Sequence, residues 1–536
     1  MNLIEAQWIP VRRKSGESRI APWQISEPDD PVLELAAPRP DFNGALLQFL
    51  IGLLQTACPP EDGNQWADWL EEPPSPETLR EKFKSFASAF ELDGDSPRFM
   101  QDLGALDNEK DPKPISALLI DAPGEITIKE NRDHFVKRGH CNAICPACVA
   151  TALYTLQTHT SGVGAGNRAC IRGVGPLTTL ITLDPEGSKL SESLWRNLWL
   201  NVIENQAPAF LGEIKCPDSK SDVFPWLAPT RTSESTTGQE TTPLDTHPLQ
   251  MYWAMPRRIQ VEWSNTVSGH CELCGDVSDS LITHYRAQNY GIQYTGAWEH
   301  PLTPHFISTT SSPKPIRASV ETLTYTHWAQ HVLGNKKVRP AIIVRKFHSK
   351  KLQEEQLRIR AFGYEMDKKL VAKARCWQET TFPLYTLKPA ISVAFTARTE
   401  TVIQAATDAA SMIRSCIKEA WFKRPGDAKG DTSFLKEAFF NHTEKDFYTS
   451  LKELQILLEA GEDGKEILHT WHKALTQSSL SLFDYWTTRG DFGAVNPRRI
   501  AQAHQKLIDW IYGNKKYKNT GLPSVLGIQL SKENTA

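Results

Sequence analysis

Two Cys-x-x-Cys pairs, Cys145-Pro-Ala-Cys148 and Cys271-Glu-Leu-Cys274, constrain the fold of this chain more than any other feature. Four thiolates from two such pairs make a tetrahedral zinc site, because the two-residue spacer lets both sulfurs of a pair reach one ion. More than a hundred residues separate the pairs, so such a site would clamp two distant stretches of chain together. With four cysteine ligands no coordination position stays open, which predicts a structural zinc ion.

Other interpretations of these cysteines stay open at this point. The pairs could be two unrelated surface dithiols, and Cys141 could replace one ligand, although its spacing to Cys145 is less favourable. A redox dithiol fits less well, because neither pair lies in a thioredoxin-like strand–helix unit.

Length and charge limit the class of protein. The 536 residues exceed what one hydrophobic core usually serves, which predicts two or more domains. Lys+Arg number 60 and Asp+Glu 63, a net charge of -3, so any nucleic-acid site must be local. The apolar run from Ala45 to Cys58 is too short for a membrane helix, and the first residues do not resemble a signal peptide. We therefore expect a cytoplasmic protein whose ten cysteines are thiols or metal ligands.

Hydrophobic periodicity divides the chain into a mixed region and a helical tail. The mixed region begins with strand-like residues, contains a buried helix that Asp41 is expected to cap, and alternates as strands do over 250–385. After about residue 390 the pattern becomes helical, with short polar breaks. We assign an α+β fold, with a mixed domain over 1–389 and an all-α four-helix bundle over 390–536. The expected helical segments of the tail are 401–421, 432–441, 446–460, 465–487 and 497–513.

A glycine-rich stretch follows the first cysteine pair, with Gly162, Gly164 and Gly166 in a G-x-G-x-G spacing. It lacks the lysine of a phosphate-binding P-loop and the acidic residue of a dinucleotide fold, so a tight turn is the simplest interpretation. Glycines also let a backbone lie directly against a groove, and the nearby Arg168 and Arg172 could meet phosphates. The sequence contains no His-Glu-x-x-His, Gly-x-Ser-x-Gly or Walker motif for catalysis.

Further motifs occur in a characteristic order along nearly the whole chain. They are Trp8-Ile9-Pro10-Val11, Arg39-Pro40-Asp41-Phe42-Asn43, Trp253-Ala254-Met255-Pro256-Arg257-Arg258-Ile259, Phe362-Gly363-Tyr364-Glu365-Met366-Asp367 and Ala374-Arg375-Cys376-Trp377. Together with the cysteine pairs and the glycine stretch, they resemble the CasA-type large subunit of the type I-E CRISPR Cascade surveillance complex.

The resemblance implies a fold and a function. Members of this family have a mixed N-terminal domain with a structural zinc ion and a C-terminal four-helix bundle. They are not nucleases: they recognise the protospacer-adjacent motif in double-stranded DNA, help to open the duplex for R-loop formation, and dock the helicase–nuclease that degrades the target. Other Cascade subunits and CRISPR RNA would be further partners. The alternatives are a zinc-dependent nuclease or hydrolase of a defence system, and a purely scaffolding protein.

The resemblance also assigns residues to these roles. The zinc ligands would be Cys145, Cys148, Cys271 and Cys274. A glycine loop along the minor groove would comprise Gly162, Gly164, Ala165, Gly166 and Asn167, followed by Arg168. Asn289 occupies the position of a lysine that enters the minor groove in other members, and Arg286 could compensate for the lost charge.

Two further segments would also contact DNA. A wedge at a hairpin tip over Glu365–Lys369 would include Asp367 and Lys368, with Lys368 near the position of a glutamine in some members. A loop over 126–142 would present Phe135, Val136 and Lys137.

Overall fold

The computed structural model comprises two compact units: Met1–Val320 with Lys336–Leu384, and Glu321–Asn335 with Tyr385–Ala536. The residues that it describes are 1–95, 97–104, 106, 112–123, 128–131, 141–162, 164, 166–204, 219–309, 312–319, 323–347, 352, 355–367, 373–385, 387–427, 430–488 and 496–530. Within these ranges, no helix combines the length and the apolar character that crossing a membrane requires.

The first unit mixes helices with short strands. Its α-helices are α1 (Pro40–Ala57), α2 (Gly63–Glu71), α3 (Pro76–Lys84), α4 (Pro146–His159), α5 (Leu194–Trp199), α6 (Lys220–Val223), α7 (Gln250–Trp253) and α9 (Ile342–Phe347). Its strands are β1 (Ile9–Arg13), β2 (Gly16–Ile20), β3 (Glu34–Leu35), β4 (Lys113–Pro114), β5 (Thr178–Leu183), β6 (Glu240–Thr241), β7 (Arg258–Val261), β8 (Val267–His270), β9 (Val277–Leu281), β10 (His284–Gln288), β11 (Gln293–Tyr294), β12 (His305–Phe306), β13 (Lys314–Pro315), β14 (Val338–Arg339), β15 (Leu357–Asp367) and β16 (Lys373–Leu384).

The strands form several small sheets. Their orders are β2-β1-β3, β4-β10-β7, β13-β12-β14, β16-β15-β5, β8-β9 and β11-β6, and the last pair alone of these is parallel. The β1–β2 hairpin confirms the strand-like start of the sequence. The long β15–β16 hairpin pairs through β15 with β5, so Leu357 lies opposite Leu183. Sheets this small cannot form a core by themselves, so they depend on the helices that pack against them.

Helix α1 lies at the centre of the first unit. It is buried along nearly its whole length, and Phe49 makes edge-to-face contacts with five aromatic rings at centroid distances of 5.5–6.0 Å. These rings belong to Trp8, Phe90, Phe99, Tyr154 and Trp253. Aromatic pairs in this geometry stabilise a core more than the burial of their apolar surface alone would.

The prediction that Asp41 caps α1 is wrong. The N-cap is Arg39, and Asp41 lies within the first turn. Its buried carboxylate accepts hydrogen bonds from the Tyr364 hydroxyl (2.5 Å) and Arg39 Nε (2.9 Å). Asp41 therefore binds the side chains of the N-cap residue and of a distant strand instead of the free N–H groups of its own helix.

The second unit is helical. It contains α8 (Trp328–Val332), α10 (Pro389–Trp421), α11 (Phe434–Glu459), α12 (Glu466–Thr488), α13 (Pro497–Ile511) and α14 (Leu522–Leu526). Helix α10 packs against each of α11 to α14. It buries the small residues Ala405, Ala406, Ala409 and Ala410, which allow neighbouring helices to approach closely.

The predicted break between residues 441 and 446 is wrong, because α11 continues through it. The polar stretch includes Thr443, which faces inward and is buried. Its hydroxyl donates to the Phe439 carbonyl at 2.9 Å and lies 2.8 Å from the Tyr325 hydroxyl. A buried threonine with both bonds made does not interrupt a helix.

Candidate zinc site and nucleic-acid interface

The four predicted zinc ligands lie together in the first unit. Cys145, Cys148, Cys271 and Cys274 each offer a sulfur, and all four atoms lie within 4.8 Å of one another. Cys145 Sγ and Cys274 Sγ are 3.6 Å apart. Four sulfurs at about 2.3 Å from a tetrahedral zinc ion lie about 3.8 Å from each other. The cluster therefore fits zinc, and its sulfur separation is far too long for a disulfide.

Two kinds of local structure position these sulfurs. Cys145 is the N-cap of α4 and Cys148 lies in its first turn, where the helix dipole favours thiolates. Cys271 and Cys274 lie in the turn between β8 and β9, which Gly275 closes with a positive φ of 83°. The Cys145 amide donates to Cys271 Sγ at 3.3 Å. We call the two Cys-x-x-Cys segments, Cys145–Cys148 and Cys271–Cys274, the knuckles. A hydrogen bond from the backbone therefore joins the two knuckles, in addition to any metal ion that they bind.

Without a cation, the four thiols cannot all be ionised at the same time, because neighbouring thiolates repel one another. Hydrogen bonds with Cys145 and Cys148 lower the pKa of Cys274 to about 7, whereas the hydrogen bond with Cys145 raises the pKa of Cys148. A divalent cation removes this conflict because it stabilises every coordinating thiolate. Arg19 of β2 adds positive charge, with Nη2 3.5 Å from Cys274 Sγ.

Cys141 does not belong to the group of four sulfurs. It is buried beside the first knuckle, and burial raises the pKa of its thiol to about 11. The spacing argument that placed Cys145 ahead of Cys141 as a ligand therefore agrees with the geometry.

The glycine stretch lies against a turn more than a hundred residues away. The Tyr290 amide donates to the Gly166 carbonyl at 2.7 Å. Gly166 has a φ of +73°, and a Cβ at this position would lie 2.8 Å from Asn289 Cβ. Gly162 and Gly164 are exposed, whereas Ala165 lies outside the described residues. The structure thus brings Asn289 close to the glycine loop.

Arg168 and Arg172 differ from the expectation that both could meet phosphates. Arg168 is half-buried, and its Nε and Nη2 donate to the hydroxyl and carbonyl of Ser233, each at 2.7 Å. Arg172 is almost fully buried, and its Nη2 donates to Gln48 Oε1 at 2.6 Å. Burial therefore excludes Arg172 from a surface contact, while Ser233 occupies two of the donor groups of Arg168.

Three residues that support the loop were not predicted. Arg257 donates to Asn167 Oδ1 and, at 2.5 Å, to the Ser161 carbonyl. Ser233 and Tyr290 complete the contacts between the loop and its neighbours. Arg257 belongs to one of the motifs on which the family resemblance rests, and that motif could have indicated a role for this residue. Ser233 lies in a Thr- and Ser-rich segment without any pattern.

Arg286 does not lie open toward a groove. This residue could have replaced the charge that Asn289 lacks, but it is ion-paired with Glu262, the residue that follows β7. Glu262 thus neutralises much of the charge that Arg286 could offer to DNA.

The β15–β16 hairpin, which the sequence predicts to carry a wedge, lies beside the chain that leaves the glycine loop. A Cβ at Gly175 would lie 2.8 Å from the Tyr364 carbonyl of β15. Strand β15 extends to Asp367 and β16 begins at Lys373, so the connection comprises 368–372 and not Glu365–Lys369 as predicted. Lys368 lies in this connection, outside the described residues. The other predicted contacts, Phe135, Val136 and Lys137, also lie outside the described residues.

An open groove of about 680 Å³ borders the glycine loop. Its lining includes Gly162, Asn167 and Arg168, together with Tyr294, Trp298 and Lys314. Gly162 and Asn167, at the two ends of the glycine loop, thus border a concave surface.

Comparison with solved structures identifies this architecture. Thermobifida fusca Cse1 matches with a TM-score of 0.70 at 16% identity, covering 99% of both chains. CasA of Thermus thermophilus matches with a TM-score of 0.61 at 17% identity, covering 95% of this chain and 98% of the other. A chain of a CRISPR RNA-guided surveillance complex matches with a TM-score of 0.65 at 14% identity, covering 96% of this chain and 99% of the other. The chain therefore has the fold of the CasA/Cse1 proteins.

A sequence model of one family agrees with the fold. The family described as CRISPR-associated protein Cse1 matches residues 2–482, which is most of the chain. This protein therefore belongs to the Cse1 family, the CasA-type large subunits, as the order of its motifs predicted.

Proposed function

We propose that this chain is the non-catalytic large subunit of a CRISPR RNA-guided surveillance complex and recognises the protospacer-adjacent motif in double-stranded DNA. Membership of the Cse1 family and the likeness to a chain of a surveillance complex support this role. Other Cascade subunits and CRISPR RNA are its partners in the cytoplasm. The chain then helps to open the duplex for R-loop formation and docks the helicase–nuclease.

One observation carries the DNA-recognition proposal: the 2.7 Å hydrogen bond from the Tyr290 amide to the Gly166 carbonyl. It joins the exposed glycine loop to the Asn289 turn, so two elements that the family resemblance assigns to one minor groove form one surface. Glycines without side chains let a DNA backbone approach closely. Minor-groove information is degenerate, so we expect several flanking motifs to be accepted.

Zinc would have a structural role in this function. A set of four cysteine sulfurs leaves no open position for water or substrate, which disfavours a zinc-dependent nuclease or hydrolase. The ion would stabilise the two knuckles that stand on either side of the glycine loop in the sequence. The C-terminal helices after about residue 389 would form the four-helix bundle of the family. Lys368 at the hairpin tip would act as the wedge, and Phe135, Val136 and Lys137 would add contacts from their loop.

A binding assay tests the proposal. Guide-RNA complexes are assembled with and without this chain and tested by gel shift on matched double-stranded targets with randomised flanks. We expect the chain to add tight binding that depends on the flanking base pairs, and Asn289→Ala and Lys368→Ala to weaken it. Equal binding with and without the chain would leave only a scaffolding role. A requirement for one single motif would contradict the expected minor-groove recognition.

A further inference from the structure

Tyr290 has an unusual backbone conformation at the edge of the glycine loop. Its φ is +63°, in the left-handed region that bulky residues rarely adopt. The residue is 36% exposed, so burial of the ring in a core does not offset this cost. Glycine would adopt the same conformation without strain. A strained residue whose side chain faces solvent is more common at binding sites than elsewhere.

Backbone contacts on both sides of Tyr290 fix this conformation. Its amide donates to the Gly166 carbonyl at 2.7 Å, and its carbonyl accepts from the Ser233 amide at 3.1 Å. Gly291 follows with no space for a side chain, since a Cβ there would lie 2.1 Å from the Pro256 carbonyl oxygen. The path of the chain through residue 290 is therefore determined by its neighbours, and this path sets the direction of the Cα–Cβ bond of Tyr290.

The ring itself is supported by Arg168. The guanidinium carbon lies 5.7 Å from the ring centroid, within the range of a cation–π contact. Ser233 holds the guanidinium in turn through two hydrogen bonds of 2.7 Å. Within the described part of the chain, no residue is hydrogen-bonded to the Tyr290 hydroxyl. The turn that contains Asn289 and Tyr290 thus presents a fixed aromatic ring with an available hydroxyl group.

We propose that Tyr290 is a DNA-contacting residue of this surface, with Arg168 as its positioning residue; this inference rests on the proposed function. The ring packs on deoxyribose and base edges in the minor groove of the flanking duplex, as apolar side chains of other minor-groove proteins do. The hydroxyl donates to adenine N3 or thymine O2, the acceptors that every A·T pair presents there. Asn289 alone therefore does not replace the lysine of other family members.

Tyr290→Gly separates binding from folding, because glycine relieves the backbone strain while it removes the ring. We expect the variant to fold with an unchanged or higher midpoint of thermal unfolding. In the assembled guide-RNA complex, it should bind a matched duplex about tenfold more weakly, the order of effect expected for one lost aromatic contact to nucleic acid. Tyr290→Phe should lose less affinity than Tyr290→Gly, because it keeps the ring and removes only the hydroxyl group.

A single-stranded target of the same sequence is the control, because it pairs with the guide but has no minor groove at the flank. Wild type and Tyr290→Gly should bind it equally. Equal weakening on both targets would overturn the inference, as would unchanged duplex binding by Tyr290→Gly when wild type remains flank-dependent. A wild-type complex without any dependence on the flank would instead overturn the proposed function, and the inference with it.

Discussion

The Arg172 guanidinium is a buried cation whose hydrogen bonds run to neutral oxygens. It donates to Gln48 Oε1 at 2.6 Å, to the Thr178 hydroxyl at 2.8 Å and to the Thr303 hydroxyl at 3.3 Å. Burial lowers the pKa of the group, which reflects the cost of its charge. The hydrogen bonds that its N–H groups donate therefore keep Arg172 in place. Through these bonds the residue connects α1, β5 and the segment before β12.

Arg172→Met keeps a long side chain and removes these donors. We expect the free energy of unfolding of the first unit to fall by about 3 kcal/mol, because several buried oxygens lose their partner at once. Urea unfolding followed by tryptophan fluorescence measures this loss. Arg424→Met is the matched control: its side chain is 84% exposed, so its effect should stay within about 0.5 kcal/mol. Equal stability of the two variants would contradict the structural role of Arg172.

The cysteine assignments can be tested one residue at a time. Cys271→Ser removes a sulfur from the group of four, and we expect the purified variant to lose its zinc and to unfold at a lower temperature, since structural zinc contributes directly to stability. Cys141→Ser alters a buried thiol outside that group and should keep about one zinc ion per chain. Elemental analysis of both variants and the wild type gives the result. Zinc loss in Cys141→Ser alone would reassign the ligand.

At the scale of elements, the local signals in the sequence are strong for helices and weak for strand pairing. The apolar run of α1 and the prolines after it predicted that helix, and the spacing of the two knuckles predicted their convergence. Nothing local indicates that β5 pairs with β15, because that register depends on contacts across more than 170 residues. The Asn289 turn was placed only by counting from Cys274. Tyr290 was missed because strain at φ +63° leaves no trace in composition.

The β15–β16 hairpin depends on close approach of two backbones at Gly363. A Cβ there would lie 2.5 Å from the Pro176 carbonyl oxygen and 2.7 Å from Ala318 Cβ. Gly363→Ala should therefore force β15 away from its neighbours and lower the free energy of unfolding by about 1–3 kcal/mol. This cost exceeds the gain of up to about 1 kcal/mol from a less flexible unfolded chain.

Gly426→Ala provides the comparison for Gly363→Ala, because no atom lies within 4 Å of a Cβ at residue 426. We expect it to leave the midpoint of thermal unfolding unchanged or slightly higher. Differential scanning calorimetry on both variants measures the difference. A Gly363→Ala protein as stable as the wild type would show that the approach to Pro176 is not tight.

For the molecule as a whole, the candidate site depends on tertiary contacts between segments that are far apart in the sequence. The cysteine knuckles, the glycine loop and the Asn289 turn all lie in the first unit, together with the motifs at α1 and β15. Composition alone gave a near-neutral chain with no sign of nucleic-acid binding, because the proposed surface uses glycines, amides and one aromatic ring more than charge. The second unit was predictable as helical but its packing partners were not.

Acid should destabilise the first unit through its buried histidines, of which His305 offers the clearest test. Burial, opposed by Glu299 and supported by Arg339 and Arg345, lowers the pKa of His305 to about 4 from its usual 6.5. The unfolded chain therefore binds a proton below pH 6.5 that the folded chain does not, so stability falls as the pH drops from 6.5 to about 4. This difference amounts to about 3 kcal/mol, at about 1.4 kcal/mol for each pKa unit.

His305→Leu removes the titrating group at a position whose Nε2 has no hydrogen-bond partner among the described residues. The variant should lose less stability than the wild type between pH 7 and pH 4.5, whatever its stability at pH 7, because the remaining histidines and the cysteine site contribute equally to both proteins. Urea unfolding at several pH values measures the two slopes. Parallel slopes would mean that His305 has the same pKa in the folded and the unfolded protein, and hence that its site admits water and charge.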